Sequence, residues 1–176
     1  MVGQLALECN YVQNWANNKF KTLHSMGRIM PDPTVNDMME AYAQDAVDFA
    51  RVRFQIYLDF SEDSLQQTEQ ILGKLHELLP HGFFAKLLNR GPSDNQIQQM
   101  AKMWGGYVGE VIRRRWNGQW SRESKTQSGA VITLHIGDTE IYPPAKVYKR
   151  LTLGSADNIW QYYQVLKSDF TKAKLN

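Results

Sequence analysis

The sequence predicts an α+β fold in which a helical N-terminal two thirds packs on a small antiparallel sheet and a C-terminal helix closes the structure. Three observations carry that expectation. Apolar residues recur at steps of three and four through most of the stretch from Val35 to Ile112, the spacing of one helical face. After Asn117-Gly118 the rhythm becomes alternation, with Val131, Thr133 and His135 set against Ile132, Leu134 and Ile136. Beyond Ser155 the helical spacing returns in Ile159, Trp160, Tyr163, Leu166 and Phe170.

The elements follow in order. Residues 5–25 carry Tyr11, Trp15 and Phe20 at spacings of four and five and predict a modest amphipathic helix, ended by Gly27 and by the extended Pro31-Asp32-Pro33. Thr34 is an N-cap with Asp37 in the first turn, and Val35, Met38 or Met39, Tyr42, Ala46, Phe49 and Val52 form the stripe that follows. Phe54, Ile56 and Leu58 alternate with Gln55, Tyr57 and Asp59, the period of a short strand. A helix is expected from Ser61, with Leu65, Thr68, Leu72, Leu75 and Leu79 inward and Pro80-His81-Gly82 at its end. Phe83 to Leu88 reads as a short turn pressed on the core, and Asn89-Arg90-Gly91-Pro92 as a turn.

The central helix starts at Ser93 or Asp94 and buries Ile97, Met100, Trp104, Val108, Val111 and Ile112. Its middle holds Gly105, Gly106 and Gly109, each costing up to about 1 kcal/mol against alanine in a helix interior. Gly105 and Gly109 lie four apart and share a face, so they predict a groove covered by the sheet region or by Trp120. Trp120 then opens a strand, a second runs from Val131 to Ile136, and Gly137-Asp138 turns the chain into Thr139–Tyr142. Pro143-Pro144 interrupts the pattern, 145–151 resumes as strand or short helix, and Ser155 or Asp157 caps the last helix. No linker or repeat divides the chain, so 1–176 reads as one domain, with 1–32 a helical extension and 33–176 the α+β core.

The bulk numbers fit this picture. A chain of 176 residues, 43% apolar and 22% charged with five tryptophans, has the composition of a globular protein. The single Cys9 excludes an intramolecular disulfide and suits a reducing compartment. The N-terminus has no basic region before its apolar run, and no apolar stretch approaches the roughly 20 residues of a bilayer span. The expected location is therefore cytoplasmic, with no membrane partner. The net charge of +2 conceals a split: residues 1–79 balance to −5 and residues 80–176 to +7. Such halves are expected to pack together and neutralise each other in part.

Motifs for chemistry are missing. The sequence has no phosphate-binding glycine loop, dinucleotide fingerprint, His-Glu-x-x-His, Cys-x-x-Cys or nucleophile elbow. No cofactor, metal or catalytic residue is therefore assigned. Glu110 is the most tempting acid; its structural reading is a pair with Arg113 or Arg114, and its functional reading is a general acid or base in a pocket shared with Tyr107, Arg114 and His135. Arg113-Arg114-Arg115-Trp116 is the strongest basic run and the candidate binding segment. Consecutive helical residues diverge by about 100°, so the three arginines do not form one flat patch. Lys146, Lys149 and Arg150 are candidates to widen it. Asp59, Glu62 and Asp63 make an acidic knot whose spacing matches no calcium loop, and dipole capping accounts for Glu62 and Asp63.

The run Gly106-Tyr107-Val108-Gly109-Glu110-Val111-Ile112, then Gly118-Gln119-Trp120, Ile141-Tyr142-Pro143 and Val147-Tyr148-Lys149-Arg150-Leu151, resembles a family of small uncharacterised bacterial domains. In that family a Gly-x-x-x-Gly-Glu-Val-Ile helix precedes a Gly-x-Trp strand, and a proline leads into a Lys-Arg strand. Leu58-Asp59-Phe60-Ser61-x-x-Ser64-Leu65 fits the start of its long helix. The resemblance covers roughly residues 35–163. It implies a bacterial protein in which Gly105, Gly109, Trp120, Pro143 and Lys149-Arg150 are joints between helix and sheet, with Arg150 a further candidate partner of Glu110. It carries no activity. The leading expectation is a non-enzymatic protein-protein interaction module of immunity or adaptor type, with another protein as partner. A small enzyme or ligand-binding domain with a pocket near Glu110 comes second, and nucleic-acid binding through Arg113–Trp116 third.

Overall fold

A computed structural model describes residues 33–79, 92–124 and 131–173. The expected helices at 5–25 and 83–88 lie outside them. The described residues form five α-helices and one three-stranded antiparallel sheet, the predicted α+β arrangement. Helix α1 is Val35–Phe54, α2 Ser64–Leu78 and α3 Asp94–Trp116. Strands β1 (Gln119–Ser121), β2 (Thr133–Ile136) and β3 (Thr139–Ile141) follow in spatial order. Helix α4 is Pro143–Leu153, a 3₁₀ turn spans Ser155–Asp157, and α5 is Ile159–Ala173.

Two helices begin as their residue types dictate. Thr34 and Asp37 form a reciprocal capping box on α1, and Ser93 and Gln96 form one on α3. Helix α2 starts at Ser64, three residues after the expected Ser61, because the Ser61 hydroxyl accepts the Ser64 amide at 3.2 Å in a preceding turn. The cap of α5 is Asn158, whose side chain accepts the Gln161 amide at 2.8 Å, while Ser155 and Asp157 fall in the 3₁₀ turn. Pro143-Pro144 starts a helix: a proline at the first helical position loses no hydrogen bond and is already set at helical φ. Lys149 and Arg150 therefore lie on a helix, where the family resemblance implied a strand.

Residues 55–59 depart from expectation in another way. Ile56 and Leu58 turn inward and Gln55, Tyr57 and Asp59 outward, as the alternation implied, but the run joins no sheet among the described residues. It is bracketed by two non-glycine residues with left-handed backbone, Gln55 at φ 57° and Phe60 at φ 63°.

Helix α3 is the axis. Trp104, Tyr107, Val108 and Ile112 on it are fully enclosed. Its glycines mark where neighbours touch its backbone. A Cβ on Gly106 would lie 3.0 Å from the Met39 carbonyl oxygen and 3.1 Å from the Ala43 amide of α1. One on Gly105 would overlap Pro144 at the start of α4, and one on Gly109 would overlap the six-membered ring of Trp120. The groove expected on this helix is thus filled by Trp120 and by the first turn of α4. Glu40–Arg113 and Phe49–Trp104 contacts run α1 antiparallel to α3.

Candidate functional site

The C-terminal end of α3 gathers the charged residues singled out above. Glu110 is fully buried, and four N–H groups converge on its carboxylate. Arg113 donates from Nε at 2.7 Å and from Nη2 at 3.0 Å, Arg114 from Nε at 3.3 Å, and the Trp120 indole at 2.8 Å. Both carboxylate oxygens are engaged. A buried carboxylate needs such partners, since an unpaired one would change protonation or destabilise the fold. Arg113 also reaches Glu40 of α1 at 2.6 Å, and the two carboxylates raise its pKa above the ordinary arginine value, the hydrogen bond to Glu110 foremost.

The four residues of the basic run diverge as helical geometry requires. Arg113 faces Glu110 and Glu40. Arg114 lies over the Phe60 ring, 3.8 Å from its centroid. Arg115 pairs with Glu62 at 3.0 Å, and Trp116 packs on Tyr163 and Phe170 with centroids 5.6 and 5.0 Å away. Arg113 thus ties α3 to α1, Arg114 and Arg115 to the turn that holds Phe60 and Glu62, and Trp116 to α5. Arg114 and Arg115 still keep 47% and 57% of their side chains exposed. Lys146 pairs with Asp157, and Arg150 is buried with Glu69, so neither extends the run. The partner of Glu110 is the arginine pair of its own helix rather than Arg150.

Tyr107, Glu110 and His135 have separate surroundings. The Tyr107 hydroxyl accepts the Phe60 amide at 3.0 Å and bonds Ser64 Oγ at 2.6 Å. Ser64 gives its only proton to the Ser61 carbonyl at 2.6 Å, so Tyr107 is the donor in that pair. Burial pushes the Tyr107 hydroxyl above the usual tyrosine range, opposed in part by the Ser64 and Phe60 hydrogen bonds. His135 lies on β2 beside Thr133, at an open depression of about 310 Å³ lined with Ser121, Glu123 and Ser124. In the acidic knot, Asp59 accepts the Ser61 amide, Glu62 holds Arg115 and Lys167, and Asp63 precedes the first residue of α2. Among the described residues no group of three or more His, Cys, Asp or Glu side chains is arranged to hold a metal ion. No described helix is long and apolar enough to cross a membrane.

One feature escaped the sequence reading. Tyr57 is 77% exposed, the most exposed of the large apolar side chains among the described residues, and stands on the extended run between the two left-handed residues. Phe60 is held in that uncommon conformation by the Tyr107 hydroxyl on its amide, by the Tyr107 ring at 4.9 Å and by Arg114 on the other contact. The period-two alternation was the available signal; it identifies the outward position of Tyr57 without showing that no described strand pairs with the run. Comparison with known proteins leaves the residues to speak for themselves: no protein-family model matches the chain, and no curated protein or solved structure matches it significantly.

Proposed function

We propose that this chain is a non-enzymatic protein-protein interaction module, adaptor- or immunity-like, whose working surface is the Gln55–Phe60 run with Arg114 and Arg115 beside it. The observation that carries the reading is Tyr57. A tyrosine 77% exposed on an extended run, pinned at Phe60 by a strained backbone, is ready to bury its ring against a partner at little cost in conformational entropy. Tyrosine and arginine are the residue types that most often anchor protein interfaces. Arg114, stacked on Phe60, and Arg115, with Glu62, are already ordered by their intramolecular contacts. The saturated carboxylate of Glu110 supports reading it as a joint of the fold rather than as an acid or base.

A photo-crosslinking amino acid at position 57, with one at the exposed Gln161 as control, tests this in extract of the native host. The expected result is a discrete adduct from position 57, competed away by excess unmodified protein and not formed from position 161. Identical adducts from both positions, or none from 57, would rule the surface out.

A further inference from the structure

We propose that the polar face of the sheet carries a second site, at Glu123 and His135, for a ligand bearing a primary ammonium group. The site is built from other elements than the Tyr57 run and does not depend on that reading. The strand register explains why a polar surface exists here. Trp120, Leu134 and Ile141 are cross-strand neighbours on the core side. Ser121 with Thr133, and His135 with Glu140, are paired at the alternate positions and so share the opposite face. The open depression of about 310 Å³ lies on that face.

The direction of each hydrogen bond decides what this surface can bind. Thr133 Oγ1 lies 2.9 Å from the Glu123 carbonyl, which has no proton to offer, so the threonine proton goes there. The 3.1 Å contact between Thr133 Oγ1 and His135 Nε2 must then be donated by histidine. Neutral His135 is therefore the Nε2–H tautomer, with its lone pair on Nδ1. Tyr142 donates to Glu140 Oε1 at 2.5 Å, so Ser124, 2.9 Å away, donates to Tyr142. Ser121 Oγ accepts the Glu123 amide at 2.9 Å. The protons of Thr133, His135, Ser124 and Tyr142 are all committed within the protein. The residues lining the depression thus bring to it the exposed Glu123 carboxylate, the lone pair of His135 and a single hydroxyl donor, that of Ser121. Among the described residues the cation adjacent in sequence, Arg122, turns to Met38 Sδ of α1 at 3.8 Å.

A phosphate, carboxylate or ether would meet acceptors and negative charge here with few donors to satisfy it. A primary ammonium brings three donors and a positive charge, which complements both. That chemistry has two sources, a free small amine or a lysine side chain of a partner.

The test is a titration of the full chain followed by NMR, reading the His135 ring nitrogens and the amides of β1–β3. The probes are 1,4-diaminobutane and, separately, Nα-acetyl-lysine methylamide, with acetate and inorganic phosphate as anionic controls. We expect the His135 Nε2–H tautomer in the free protein and saturable shifts confined to Ser121, Glu123 and His135. Affinity should fall about tenfold in Glu123→Gln, the loss of one charge-assisted hydrogen bond. It should be unchanged in Glu77→Gln, an exposed site on α2, and in Tyr57→Ala, so this site and the Tyr57 surface stand or fall separately. Tighter binding of the diamine assigns the site to a free amine, and tighter binding of the lysine amide to a partner's lysine. An Nδ1–H tautomer, absence of saturable binding by either amine, equal weakening by Glu77→Gln, or anions shifting the same signals overturns the proposal.

Discussion

Gly109 shows how much one hydrogen atom decides in this fold. In an ordinary helix interior, alanine in place of glycine stabilises by about 1 kcal/mol. Here the position of the missing Cβ is taken by the ring of Trp120, whose indole N–H reaches the buried Glu110 at 2.8 Å. Alanine must push that ring away, overpacking the joint and stretching a buried hydrogen bond to a carboxylate. The sign therefore reverses: Gly109→Ala should destabilise the protein by about 3 kcal/mol in urea unfolding. Adding Trp120→Leu, which removes the clashing ring, should make the alanine substitution nearly neutral. A stabilising Gly109→Ala would show that the ring does not occupy this position.

Between elements, the meeting of α2, α3 and α5 rests on Glu62. Its carboxylate takes Lys167 of α5 and Arg115 of α3, and the Lys167 hydrogen bond is the largest of the causes that lower its pKa below the ordinary value of 4.5. A group whose pKa is depressed on folding binds fewer protons in the native than in the unfolded state. Its contribution is thus complete above the unfolded value and is lost as pH falls through the folded one. Unfolding midpoints measured between about pH 3 and 7 should show wild type losing stability below about pH 4.5 more steeply than Glu62→Gln. At neutral pH the variant should be weaker by about 1 kcal/mol, less in high salt because the groups are partly exposed. Parallel acid limbs for the two proteins would contradict this role. Much at this scale was legible in the sequence. The capping residues Thr34 and Ser93, the stripes of α1 and α3 and the hairpin at Gly137-Asp138 appear where spacing put them, because local preference and burial agree there, except that Val52, at the end of the α1 stripe, is exposed. Alternation over 54–58 described side-chain direction correctly, yet whether a partner strand exists is a tertiary fact. Pro143-Pro144 read as an interruption because a helix start and a break look alike until the following turn is seen. The divergence of the arginine run followed from helix geometry, while its particular carboxylates depended on which elements pack together.

Across the molecule, the opposite charges of the two sequence halves meet in specific pairs. Glu40–Arg113, Glu62–Arg115, Glu62–Lys167 and Glu69–Arg150 each join an acid from the first half to a base from the second. Glu69 is the innermost of these acids with a partner so enclosed. One oxygen takes Arg150 Nε of α4 at 2.7 Å, and the other takes the Ile159 amide at the start of α5 at 2.8 Å, so a single side chain on α2 fixes both later helices. Arg150 is only 5% exposed, and its Nη1 already lacks a hydrogen-bond partner. Removing the carboxylate leaves a buried cation uncompensated and the Ile159 amide without its acceptor. Glu69→Ala should therefore cost about 3–5 kcal/mol, against the modest loss expected if the pair were an ordinary surface bridge. Packing and charge separate in a second variant. Glu69→Leu combined with Arg150→Met removes both charges at similar volume and should recover most of that loss, because the chief cost of the single substitution is the orphaned guanidinium. Because the pair joins the first half of the chain to the last two helices, tryptophan fluorescence and far-ultraviolet dichroism should report one coincident transition in wild type. In Glu69→Ala the fluorescence of Trp160 on α5 should change at lower denaturant than the helical signal as a whole. If the double variant is as unstable as the single one, Glu69 acts by its shape and the charge of Arg150 is carried by the surrounding structure.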